Sequence, residues 1–200
     1  PLGQLWLPDA HSVAPSPVSA LLSGVMLKTG VFGLIRTFFF LAPASAAGFD
    51  GRAWGTVLAA IGAVTLFIGT IQSVKQHDAK RLLAFSSIGQ IGYIVLGLGA
   101  ALLLSDAEGA IRALAPVAFL GALFHVLNHA IFKSLLFLTS GSLLYAAGTK
   151  DLNRLGGLIG LMPASAAVAA VASLSISGMP PTSGFARKWT SIPSPILGGE

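Results

Sequence analysis

Cysteine is absent, which excludes a disulfide framework and any Cys-ligated zinc or iron–sulfur site within the chain. Charge is scarce. Asp, Glu, Lys and Arg make up 10% of the 200 residues, where soluble domains carry near a quarter. With hydrophobic residues at 54%, the polar groups needed to cover a water-facing surface are missing. The same composition excludes a disordered chain, which would be rich in charge and poor in apolar residues. The net charge of +5 is small and spread along the sequence, so a nucleic-acid surface gets no support. No Ser-His-Asp set, no Gly-rich phosphate loop after a strand and no cofactor fingerprint occurs, so neither chemistry on a substrate nor a bound cofactor is expected of this chain. What remains is an integral membrane protein of the all-α class, a polytopic bundle of transmembrane helices.

Crossing the hydrocarbon core takes about 20 mostly apolar residues. The stretches 18–41, 53–74, 82–104 and 113–149 meet that length, and the last is long enough that it should tilt, kink or end in a re-entrant piece. A fifth stretch, 158–188, is interrupted by Gly178, Pro180, Pro181 and Gly184. Proline cannot continue a helix, and broken backbone at membrane depth is tolerated only in a protein interior or beside a cavity, as in transporters. Lys75, Lys80, Arg81, Lys150 and Arg154 fall on one side of this topology, against Arg36, Arg52 and Arg112 on the other. The excess places the 75–81 and 150–157 connections in the cytoplasm, together with the segment around Asp9 and His11.

Ionisable side chains inside a membrane cost roughly 2.5–3.5 kcal/mol each to insert, so they face a protein interior and usually have a task. Lys28 lies near the middle of the first span, as a structural lysine or as a proton-handling one. His125, His129 and Lys133 are four apart and therefore share one helix face, with rungs about 6 Å apart. Histidine titrates near neutral pH and both accepts and donates protons, so this ladder reads as a relay. It does not read as a metal site, since the Glu of a His-Glu-x-x-His helix and a third ligand are lacking. Lys80 is either a positive anchor or the mouth of a proton path, and Lys188 either an interfacial anchor or a member of the path. Lys28, His129, Lys133 and Lys188 should gather at similar depth and face the bundle interior, with His129 and Lys133 pointing toward the broken 158–188 segment.

Four strings then resemble one family: Leu7-Pro8-Asp9-Ala10-His11 with Ala14-Pro15-Ser16-Pro17; Asp78-Ala79-Lys80-Arg81 through Tyr93; His125-Val126-Leu127-Asn128-His129 through Lys133 and Leu138; and Ser177-Gly178-Met179-Pro180-Pro181 through Phe185. In order and over residues 5–189 they are similar to the proton-pumping, antiporter-like membrane subunits of respiratory complex I, of multisubunit sodium/proton antiporters and of nickel–iron hydrogenases of the formate-hydrogenlyase type. The resemblance implies a fourteen-helix parent with two inverted repeats. Residues 1–41 would close the first repeat, 53–189 would form most of the second, and 190–200 would be an aberrant or disordered tail on an internal piece of a longer protein. It also implies a proton path through Lys28, Lys80, His125, His129, Lys133 and Lys188. The family's helix-seven lysine and helix-five glutamate would fall before Pro1, and Phe85 stands where many members carry Tyr.

The implied activity is proton translocation by a subunit of a redox-driven complex, of the NADH:quinone oxidoreductase or hydrogenase kind. Such a subunit carries out no chemistry of its own and sits in a prokaryotic inner membrane. Its implied partners are other membrane subunits and peripheral subunits bearing Fe–S or nickel–iron centres. A sodium/proton antiporter subunit is the first alternative, and a non-transporting anchor the second.

Overall fold

A computed structural model of the chain describes residues 6–45 and 48–177. Over these residues the chain is helical, with α1 (Trp6–Val13), α2 (Ser16–Leu41), α3 (Gly51–Val74), α4 (Ala79–Ser105), α5 (Ala115–Ala147) and α6 (Pro163–Ser177) in order. Helices α2 to α4, and α5 with the 3₁₀ turn Gly109–Leu114 before it, are each long and apolar enough to cross a membrane. The outer face of α3 exposes Trp54, Ile61, Val64, Phe67 and Ile71. In water such a surface would be prohibitive; in a bilayer it is solvated. The chain is an integral membrane helix bundle.

Local chemistry sets the ends. The Asp50 carboxylate accepts from the Ala53 amide at 2.9 Å, capping α3, and Asp78 accepts from the amides of Lys80 and Arg81, capping α4. These satisfy donors that a helix start leaves open. Gly148 ends α5 with φ 65°, in the left-handed region, and returns its amide to the Leu144 carbonyl at 2.9 Å. The fourth span does not end in a re-entrant piece, one of the three outcomes expected of its length. Helix α5 runs 33 residues without interruption, because its one proline, Pro116, sits in the first turn where no donor is needed. At 1.5 Å per residue that is about 50 Å, longer than the hydrocarbon core, so tilt or protrusion remains.

Helices α3 and α4 form the tightest pair. Gly55, Gly62 and Gly69 recur every seven residues, which is close to two turns. A Cβ added to Gly62 would stand 2.4 Å from the Leu96 amide nitrogen, and one on Gly69 would stand 2.4 Å from that of Gly89. From the other side, Gly92 and Gly99 press as closely on Leu66 and Ala59. Backbone meets backbone along this seam, as small residues allow in membranes.

On one face of the bundle three connections are tied together. Asp78 and Asp151 form an isolated antiparallel bridge. The Leu152 amide donates to the His77 carbonyl at 2.8 Å, and the Ala79 amide to that of Lys150 at 3.0 Å. Lys150 pairs with Asp78 at 2.9 Å, and Arg81 with Asp9 at 3.1 Å. The grouping expected from the positive charges therefore holds: 75–81, 150–157 and the Asp9 segment share a side.

Candidate functional site: a buried lysine and histidine network

Helix α2 carries Lys28 into the bundle through a stretch that is not regular. Leu22–Met26 is a π turn, in which the Leu27 amide reaches back five residues to the Leu22 carbonyl. Such a turn accommodates one extra residue and rotates the downstream helix by about 100°. The Lys28 ammonium donates to the Ser23 carbonyl in that turn. Close approach to α5 fixes the position: a Cβ on Gly24 would collide with the Ser134 hydroxyl, and Ser134 Oγ donates to the Ala20 carbonyl at 3.3 Å.

Lys133 on α5 is fully buried. Its ammonium donates to the Leu83 carbonyl at 2.9 Å and to Ser86 Oγ at 2.5 Å, both on α4. Lys28 is near enough for the two positive charges to act on each other. One and two turns back on α5, His129 and His125 are also fully buried, with ring centroids 6.1 Å apart and nearly parallel. The spacing is that expected of rungs on one helix face. Tyr93 of α4 lies 4.9 Å from the His125 ring at a tilt of 49°, while Phe132 meets His129 edge-on at 5.5 Å. Thus Lys133, His129 and His125 share the interior of the bundle, and Lys28, half-buried, stands beside Lys133.

Contrary to the expectation that it would point toward the broken segment, Lys133 turns toward α4, because a carbonyl and a hydroxyl there take its ammonium. Its neighbours Phe132 and Leu136 instead pack on Ala172 and Ile176 of α6 in an apolar cluster. Lys188 and the break at Gly178, Pro180, Pro181 and Gly184 lie outside the described residues.

Lys80 is buried but sits apart from this group, at the tied face. Its ammonium donates to the Ala14 carbonyl at 2.9 Å, and Lys150 does the same to Ser12 at 3.0 Å. The Ser12 carbonyl lies in the last turn of α1 and the Ala14 carbonyl just beyond it, at the negative end of the helix, where cations are favoured.

His11 carries no mark of a site in its sequence context. It is fully buried and stacks on Phe137 at 4.5 Å. Burial, then the charges of Lys133 and Lys80, lower its pKa from 6.5 to about 4. Between those values the unfolded chain binds more protons than the folded one, so stability should fall as pH drops from 6.5 toward 4. His11→Phe keeps the stacking and should flatten that slope. Thermal unfolding of the purified protein in detergent at pH 7 and pH 4.5 checks this, and an unchanged slope would assign it to other groups.

Ser23, Ser86 and Ser87 are polar partners that the sequence does not announce, since serine in an apolar span reads first as a small spacer.

Comparison with known proteins places this arrangement. A family model described as "NADH:quinone oxidoreductase/Mrp antiporter, TM" matches residues 2–196. The chain belongs to that family. It is 40% identical to hydrogenase-4 component B of Escherichia coli (strain K12) over 184 residues, 92% of this chain and 27% of that protein. To the Na(+)/H(+) antiporter subunit A1 of Staphylococcus saprophyticus it is 39% identical over 193 residues, 96% of this chain and 23% of that one. Among solved structures, the Mrp complex from Dietzia sp. DQ12-45-1b superposes with a TM-score of 0.78 at 29% identity, over 93% of this chain and 31% of its counterpart. The chain thus spans about a quarter of the curated relatives it matches. The family resemblance read from the four strings is borne out, as is the antiporter-like membrane fold.

Proposed function

We propose that this chain is part of a proton-translocating subunit of a redox-driven membrane complex, of the NADH:quinone oxidoreductase or hydrogenase kind, in a prokaryotic inner membrane. Residues 1–41 would close one repeat and 53–189 build most of the next. Protons would pass among Lys28, the His125–His129 pair and Lys133, continuing to Lys188. Lys80 would stand at the mouth of the path, on the tied face. The observation that carries this reading is the fully buried Lys133 ammonium, held by Leu83 and Ser86 one and two turns from the buried His129 and His125. A pure anchor has no use for such a group, since a leucine would avoid the insertion cost. Each gap of about 6 Å on the helix face is one that a single water bridges. The partners would be further membrane subunits and peripheral subunits carrying Fe–S or nickel–iron centres, and no cofactor would bind within this chain.

A second reading, a sodium/proton antiporter subunit, is favoured by the likeness to subunit A1 and to the Mrp complex. The two differ in driving force. In vesicles holding the full-length subunit in its complete complex, reductant should drive proton uptake without sodium. Proton movement that needs a sodium gradient and ignores reductant would favour the antiporter.

A further inference from the structure

We propose that Ser23 and Ser87 are positioning residues that couple the charge on Lys28 to the hold on Lys133, an inference resting on the proton-path reading above. Both serines are fully buried, and their hydroxyls meet at 2.9 Å across the contact between α2 and α4. Ser87 Oγ also lies 2.9 Å from the Leu83 carbonyl, the same oxygen that takes the Lys133 ammonium at 2.9 Å. At the other end, the Ser23 carbonyl takes the Lys28 ammonium. Ser23, Ser87 and the Leu83 carbonyl therefore span the distance between the two lysines.

A hydroxyl has one hydrogen to give. When Ser23 donates to Ser87, Ser87 turns its own hydrogen to the Leu83 carbonyl and competes there with Lys133. When Ser87 donates to Ser23, that carbonyl is left to Lys133 and Ser86. The two arrangements differ by rotation of two hydroxyls, with no bond broken. A positive charge beside Ser23 drives its hydrogen away, toward Ser87, and so selects the first arrangement. Charging Lys28 then loosens the grip on Lys133, and neutralising Lys28 restores it. In a low-dielectric interior such oriented hydrogen bonds reinforce one another.

The test uses the full-length subunit in its complete complex, reconstituted in vesicles, with Ser23→Ala, Ser87→Ala, the double variant and Ser87→Thr. Each alanine variant should assemble normally and lower proton uptake about tenfold, the effect of one lost hydrogen bond. The double variant should be about as slow as either single one, because both break the same link. Threonine, which keeps the hydroxyl, should recover the rate. Wild-type uptake in the alanine variants overturns the proposal, and so does a double variant whose loss is the product of the two. Should an alanine variant fail to assemble, Ser87→Cys keeps the size with a weaker donor: a reduced rate supports the link, and a wild-type rate removes it. Lys133→Met in the same vesicles separates the two ideas. An inactive Lys133→Met beside fully active serine variants sinks the link alone, whereas an active one sinks the path as well.

Discussion

Lys133→Met in the full-length subunit should leave the complex assembled and reduce proton transport on the order of a hundredfold or more, the range for losing a positioned proton-transfer group. Assembly should survive for a structural reason. The Leu83 carbonyl still accepts from Ser86 Oγ at 3.0 Å and Ser87 Oγ at 2.9 Å, so removing the ammonium leaves it with partners. Methionine fills nearly the same volume, which avoids the cavity that Lys133→Ala would open. Lys133→Ala should lose transport equally. Proton uptake with a pH-sensitive dye, alongside native electrophoresis, reads both quantities. Transport at the wild-type rate would remove Lys133 from the path, and loss of the complex would make it a structural lysine.

Gly62→Ala should destabilise the subunit even though alanine is the better helix former. Propensity alone predicts a gain of up to about 1 kcal/mol. The new Cβ, however, would stand 2.4 Å from the Leu96 amide nitrogen and 2.9 Å from the Gly92 carbonyl. Backbone cannot swing aside as a side chain can, so α3 and α4 must part and lose contact along the seam. Overpacking costs about 1–3 kcal/mol, which outweighs the propensity gain, and Gly62→Leu should be worse still. The thermal midpoint of the purified protein measures the sign. A midpoint raised by Gly62→Ala would mean that the seam is looser than described.

Much of the fold is legible in the sequence. Scarce charge and four long apolar runs define the membrane class and each span to within a few residues, because hydrophobic length is fixed by the bilayer. The four-residue spacing of His125, His129 and Lys133 places them on one face, and burial follows from the insertion cost of a lysine. Other features depend on neighbours that no single stretch reveals. The π turn before Lys28 has no local marker beyond Gly24, which is small for the sake of Ser134. Ser23 and Ser87 become partners only when α2 crosses α4. The seven-residue spacing of Gly55, Gly62 and Gly69 is readable, but it does not say which helix those glycines meet. The partner of Lys80 cannot be read from its own stretch of sequence, since its acceptor Ala14 is 66 residues away.

The proposed function has Lys28 and Lys133 carry protons that are moved by electron transfer in the assembled complex. It is tested most directly by counting protons translocated per electron in vesicles containing the complete complex, with Lys28 intact and with Lys28→Met. The account predicts that electron transfer, measured with an uncoupler present, continues in the variant while the number of protons per electron falls. An unchanged number of protons per electron would contradict it.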